Sequence, residues 1–232
     1  TRLTKEELEQ LLNLYDIGVF VDLEGISEGI TNSNYYLTTS HKKYILTIFE
    51  EPNLNLNYAI ELMDLLSANK IPCPVPVKSK DGRQVLNFKD KPLSIFTLLP
   101  GVTITKKIPS EEMCIQIGKT LAKMHLHSKK HKAHYIGLRN VEWFKRTAKK
   151  LNPILDINEI NLIDKELENL EYCIEKNLPS GVIHSDLFRD NAMFIGDNLT
   201  GVIDFYYACN GYYLYDLAII VNDWCLNEDM TI

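Results

Sequence analysis

The sequence predicts an α+β fold built as two lobes. Three observations carry this expectation. Strand-like segments dominate before Gly101, helix-like segments dominate after it, and Pro100-Gly101 breaks the chain between them. The division is expected at residues 1–99 and 100–232, and 232 residues are enough to bury a large core. No internal repeat or low-complexity tract interrupts the pattern.

Thr4 and Glu7 have capping-box spacing, and Leu8, Leu11, Leu12 and Tyr15 share one face, which predicts a helix over 4–15. Strands are expected over 19–23, 35–39 and 44–49, the last two forming a hairpin through the polar turn Ser40-His41-Lys42. Ile60, Met63, Leu65 and Leu66 give helical periodicity to 57–68, and Pro72, Pro74 and Pro76 end that helix. Asp81-Gly82 reads as a hairpin turn leading to a buried strand over 93–99. Beyond the break, Ser110 caps a helix to about His127, with Glu111 and Glu112 in its positively polarised first turn. Helices over 141–151 and 159–176 follow, then short strands over 181–184, 192–195 and 201–203. A last helix runs from about Leu214 to Trp224.

Composition narrows the function. Hydrophobic residues make up 45% and charged residues 24%, as in ordinary globular proteins. The net charge of -6 argues against a general nucleic-acid or anionic-membrane binder. The cysteines Cys73, Cys114, Cys173, Cys209 and Cys225 are widely spaced and form no CxxC pair. That argues against a zinc site or disulfide framework and suits reduced thiols in the cytoplasm. No apolar run reaches membrane-spanning length, and no signal-peptide pattern opens the chain.

The chemistry concentrates in two segments. Val182-Ile183-His184-Ser185-Asp186 ends a strand in an acid, and Asn191 follows after four intervening residues. Val202-Ile203-Asp204-Phe205 is a second strand end terminated by an acid, 18 positions after Asp186. Phosphoryl transfer needs a carboxylate aimed at the attacking hydroxyl and oxygen ligands that fix Mg2+ on the phosphates. Mg2+ keeps several waters, so one Asn and one Asp beside the phosphates of ATP suffice. Asp186 is therefore assigned as the base, and Asn191 and Asp204 as the metal ligands. Any one of these residues alone is a common turn former. The combination at this spacing points to a kinase. His184, two positions before the base, is expected to pack and hydrogen-bond within the loop.

The run HSDLFRDN followed by IDFYYA resembles the aminoglycoside phosphotransferase and choline kinase superfamily. Tyr206 stands where protein kinases carry the glycine of DFG, which argues against a protein kinase. The longer run GVIDFYYACNGYYLYDLAIIVNDWC, with EGITNSNYYL, KKYILTIFE and FTLLPGV before it, is similar to the homoserine kinase branch, over roughly Ile17 to Cys225. The resemblance implies a protein-kinase-like fold, with an antiparallel sheet and one main helix in the N-lobe and a mainly helical C-lobe. It implies ATP and Mg2+ as cofactors and L-homoserine as acceptor, on the route to threonine. The loop with Gly29, Asn32, Ser33 and Asn34 would cover the nucleotide, and the hinge over 96–101 would hold adenine, lined by Leu98 and Leu99. Asp216 would support the catalytic loop. Thr47 takes the position of the phosphate-contacting lysine, and Glu61 that of its helix partner. A threonine carries no charge, so Lys43, another cation or further metal would have to compensate.

For an acceptor with an ammonium and a carboxylate, Asp223 and Trp224 would meet the ammonium, and Arg189 the carboxylate or a phosphate oxygen. His125, His127, His131 and His134 read as a solvated helix end. The partners expected are small molecules, with no nucleic acid and no membrane. Two alternatives remain open: a kinase of choline, ethanolamine, a sugar or an aminoglycoside, or a nucleotide-binding regulator without catalysis. Thr47 favours the regulator; Asp186, Asn191 and Asp204 oppose it. The superfamily usually continues with more helices after the metal-binding motif, so the C-lobe is expected to be truncated or unusually small.

Overall fold

The computed structural model describes residues 1–27, 31–105 and 108–226. Helix α1 (Lys5–Leu12) begins with the expected capping box: Glu7 N–H donates to Thr4 Oγ1 at 3.3 Å and Thr4 N–H to Glu7 Oε2 at 2.8 Å. Strands β1 (Phe20–Gly25), β2 (Ser33–Thr39), β3 (Lys43–Ile48), β4 (Leu86–Phe88) and β5 (Lys91–Thr97) form one antiparallel sheet in the order β1-β2-β3-β5-β4. Its alternation sorts two cores. Leu37, Leu46, Ile48, Leu93 and Ile95 pack with Leu8, Leu11 and Leu12 of α1 on one face. Ile45 and Phe96 point to the other face, toward α2 (Leu56–Ala68).

The turn expected at Asp81-Gly82 does not join two strands. It is a local turn closed by Ser79 N–H to Arg83 C=O at 2.8 Å, with the Asp81 carboxylate taking Ser79 Oγ–H and Arg83 Nε–H. The hairpin between β4 and β5 instead turns at Lys89-Asp90, both left-handed at φ 48 and 61. Two successive left-handed residues give the twist that a tight hairpin needs.

The C-terminal part holds α3 (Glu111–Ser128), α4 (Val141–Leu151) and α5 (Ile157–Glu175), then two small antiparallel pairs and α6 (Tyr213–Trp224). Strand β6 (Ser180–Ile183) pairs with β9 (Cys209–Tyr212), and β7 (Ala192–Ile195) with β8 (Asn198–Val202). The larger core runs through this part and takes in α2: Met63 and Leu66 share it with Ile117, Leu121, Leu187, Phe205 and Trp224. Tyr58 of α2 also donates its hydroxyl to Asn210 Oδ1 of β9 at 3.0 Å.

The connection between the two parts is fastened to the β7–β8 hairpin. Val102 and Phe194 exchange two backbone hydrogen bonds of 2.9 Å, and Thr200 Oγ1 donates to Pro100 C=O. Gly101 has φ +105, and a Cβ there would lie 2.4 Å from Phe194 O, so glycine alone fits. No helix among the described residues is long and apolar enough to cross a membrane.

Candidate active site

At the end of β6 the chain turns sharply at Ser185, which is left-handed at φ 63, an uncommon conformation for a residue with a Cβ. Asp216 of α6, fully buried, accepts His184 N–H at 3.0 Å and Ser185 N–H at 2.8 Å through separate oxygens. Ser185 Oγ donates to Tyr207 C=O at 2.7 Å. His184 is buried; its Nδ1 accepts Asp186 N–H at 3.3 Å and its Nε2 donates to Ile203 C=O at 3.0 Å. Those roles fix the neutral tautomer protonated at Nε2, and burial lowers the pKa of the ring in the same sense. The turn that presents Asp186 is therefore held by the Asp216 carboxylate and by its own His184 and Ser185 side chains, which reach the backbone carbonyls of Ile203 and Tyr207.

Asn191 closes the loop. Its Nδ2 donates to Asp186 C=O at 2.7 Å and to Asp186 Oδ2 at 3.1 Å, which leaves the amide oxygen for another ligand. Asp204 arrives beside it, because Ile203 N–H donates to Asn191 C=O at 2.9 Å. Asp204 is also left-handed, at φ 63, and its Oδ1 is buried with no hydrogen-bond partner. Burial, then the charge of Asp190, pushes the Asp186 carboxyl up to about 6. Burial, then the charge of Asp186, pushes Asp204 up to about 7. Two desolvated carboxylates, each raised further by a neighbouring acid, form a site short of positive charge. The orphaned Oδ1, the amide oxygen of Asn191 and the Asp186 carboxylate are all hard oxygen donors, as a small divalent cation requires.

Of the residues expected at the acceptor, Trp224 is buried, and Asp223 and Arg189 pair with each other. Trp224 is enclosed by the core, 5.9 Å from the Phe194 ring, and its indole N–H donates to Leu187 C=O at 2.9 Å. A ring so enclosed has no open face for an ammonium, so the expected contact is corrected to a packing role. Asp223 accepts Arg189 N–H at 2.7 Å and Nε–H at 3.1 Å. Acid and base thus neutralise each other. Consecutive residues at the end of α6 clamp the catalytic loop from behind.

On the nucleotide side, Gly29 lies outside the described residues. Asn32 Oδ1 accepts Glu50 N–H at 3.3 Å, and Ser33 Oγ donates to Glu50 at 2.6 Å. Thr47 is buried and donates to Asn34 Oδ1 at 2.8 Å. Lys43 is exposed at the far end of β3, roughly 13 Å along the strand from Thr47, so it cannot replace the missing charge. Glu61 is solvent-facing, and His131 Nε2, at 3.9 Å, is its ion-pair neighbour among the described residues. Leu99 packs against Gly201, while Leu98 is exposed. The peptide groups of both make no hydrogen bond among the described residues and remain available to a ligand.

Sequence reasoning missed several residues. His125, read as part of a solvated helix end, donates from Nε2 to Asp216 Oδ2 at 2.8 Å and stacks on Tyr213 at 4.2 Å. His131 packs edge-on against Tyr58 at 4.5 Å. Their partners are distant in sequence, so no local spacing announces them. Tyr207 donates to Glu51 Oε2 at 2.8 Å across the two parts, and its ring carries the Arg139 guanidinium at 5.0 Å.

An antiparallel sheet over a helical lobe, with an acid–amide–acid cluster on two adjoining strand ends, defines the protein-kinase-like class of phosphotransferases. The chain belongs to the phosphotransferase enzyme family, whose model matches residues 22–232. It is 43% identical to a homoserine kinase of Methylobacillus flagellatus, covering 100% of this chain and 72% of that protein. It is 39% identical to a homoserine kinase of Neisseria meningitidis, covering 99% and 75%. Among solved structures it resembles a spectinomycin phosphotransferase (TM-score 0.73, 14% identity, 96% of this chain and 74% of that one). It also resembles an amicoumacin kinase bound to AMP-PNP and Ca2+ (TM-score 0.70, 17% identity, 93% and 67%). These two likenesses concern the fold.

Proposed function

We propose that this chain transfers the terminal phosphoryl group of ATP to the side-chain hydroxyl of L-homoserine, giving O-phospho-L-homoserine on the route to threonine, in the cytoplasm. The observation that carries the chemistry is the buried, unpartnered Asp204 Oδ1 beside Asp186 and Asn191. The homoserine kinases at 43% and 39% identity support the acceptor.

In this reading residues 1–99 form the nucleotide-binding lobe and residues 100–232 the catalytic lobe. The nucleotide lies between them, its adenine against Leu98 and Leu99 and its phosphates under the loop that includes Gly29, Asn32, Ser33 and Asn34. Asp204, through its orphaned oxygen, and Asn191, through its amide oxygen, would hold Mg2+. The ion supplies neutralisation of phosphate charge and fixes the phosphates in line for attack. Asp186 accepts the proton of the acceptor hydroxyl as that oxygen bonds to the terminal phosphorus and the bond from phosphorus to the bridging oxygen of ADP breaks. A carboxyl held near 6 by burial is matched to that proton transfer at neutral pH. Asp216 and His184 keep Asp186 aimed, because each bonds the backbone of the turn that carries it.

Coupled ADP-release assays with homoserine, choline, ethanolamine, a sugar and an aminoglycoside test the proposal. Selective turnover of homoserine is expected. Turnover of another alcohol without homoserine would overturn the acceptor, and ATP binding without ADP release on any of them would make the chain a regulator.

A further inference from the structure

A zwitterionic acceptor brings a carboxylate into a site lined by Asp186, Asp190 and Asp204, and such a group needs a cation to meet it. Arg139 stands where one is needed. It lies in the loop between α3 and α4, and β9 fixes that loop. Asn210 N–H donates to Tyr135 C=O at 2.7 Å, and Tyr135 N–H donates to Asn210 Oδ1 at 2.9 Å. Ile136 bridges to Asn210 in parallel register, and Gly137 is so close to β9 that a Cβ would lie 2.8 Å from Cys209 Sγ. Directly after Arg139, Asn140 caps α4 by accepting Trp143 N–H at 3.0 Å. The backbone is thus anchored on both sides of the arginine.

The side chain is oriented as well. Its guanidinium carbon lies over the Tyr207 ring, 5.0 Å from the centroid, a cation–π contact that does not consume its N–H donors. Tyr207 is itself joined to the catalytic turn, since its C=O accepts Ser185 Oγ–H at 2.7 Å. The positive charge of Arg139 is felt at Asp186, Tyr207 and Tyr215. No carboxylate pairs with Arg139 among the described residues, in contrast to Arg189, which Asp223 holds.

We propose that Arg139 binds the carboxylate of the acceptor and thereby sets the preference for an amino-acid alcohol over a simple amino alcohol. The inference rests on the homoserine reading above. It assigns Arg139 to the acceptor rather than to the phosphates because the arginine rises from the catalytic lobe onto Tyr207, which is bonded to the turn that carries the base, whereas the loop expected over the phosphates belongs to the other lobe.

The test compares wild type with Arg139→Gln and Arg139→Lys on three acceptors at saturating ATP. They are L-homoserine, aminopropanol, which is homoserine without its carboxylate, and hydroxybutanoate, which is homoserine without its amine. Loss of a charge-assisted bidentate contact lowers kcat/KM by about 10- to 100-fold. In Arg139→Gln that loss is expected with homoserine and hydroxybutanoate, chiefly through KM, while aminopropanol and the KM for ATP stay unchanged. Arg139→Lys retains part of the carboxylate preference. The exposed position leaves the melting temperature unaltered. An equal loss on all three acceptors, no loss on any, or a raised KM for ATP overturns the inference while homoserine turnover by wild type upholds the function. If wild type takes a carboxylate-bearing alcohol other than homoserine and Arg139→Gln loses it selectively, the homoserine reading fails and this inference stands. If wild type takes no carboxylate-bearing alcohol, both fail.

Discussion

Asp204→Asn should stabilise the metal-free protein while abolishing activity. The substitution keeps the shape of the side chain, and Asn tolerates the left-handed backbone at this position well. What it removes is a charge held in a buried place. Asp204 titrates at about 7 in the fold, against an ordinary value of 3.8. Because the folded value is raised, the folded protein binds the extra proton between those two values, and stability falls as pH rises through that window. At about 1.4 kcal/mol per pH unit, the penalty reaches about 4 kcal/mol once both states are ionised. Part of it reflects repulsion from Asp186, so a gain between about 1 and 4 kcal/mol is expected near pH 8, or a rise in Tm of roughly 3–10 °C. The gain should shrink by about 2 kcal/mol toward pH 5, where the folded carboxyl is already protonated. Thermal melts without metal at both pH values measure this directly. Millimolar Mg2+ should raise the Tm of wild type and leave the variant unmoved. A variant less stable than wild type near pH 8, or a gain independent of pH, would refute the placement of a desolvated, cation-seeking carboxylate here.

Asp186→Asn should lower kcat by about 10²- to 10⁴-fold with little change in the KM for ATP, measured by ADP release; near-wild-type turnover would remove Asp186 from the role of base. Asp216→Ala strips two backbone N–H groups of their buried acceptor, and urea unfolding should show a loss of about 2–4 kcal/mol. Gly101→Ala sets a Cβ against Phe194 O and forces a strained φ, so its Tm should fall by about 4 °C or more. A variant that melts with wild type would mean that the connection is not pinned to β7.

Local signals were legible and long-range ones were not. Helix α4 runs over the residues that the sequence indicates, because Asn140 supplies a cap and the apolar period is short-range. Asp186, Asn191 and Asp204 could be singled out because each ends a strand or lies on one short loop. Strand β9 was invisible, since Cys209-Asn210-Gly211-Tyr212 has no alternation and exists through its pairing with β6. Trp224 and His125 were misread for one reason: a sequence gives the chemistry of a side chain but not its direction. Trp224 turns inward to Leu187, and His125 reaches Asp216 on a different helix. The hairpin at Lys89-Asp90 was overlooked because neither residue announces a left-handed conformation as Asn-Gly would.

The attachment of α2 has a consequence for control. Its buried side belongs to the same core as α3 and α6, and Tyr58 ties it to Asn210. A kinase regulated by swinging its N-lobe helix away from the catalytic residues needs a loose lever at that place. Here the corresponding helix shares a core with α3 and α6 and is bonded to β9, which leaves no loose lever at that place.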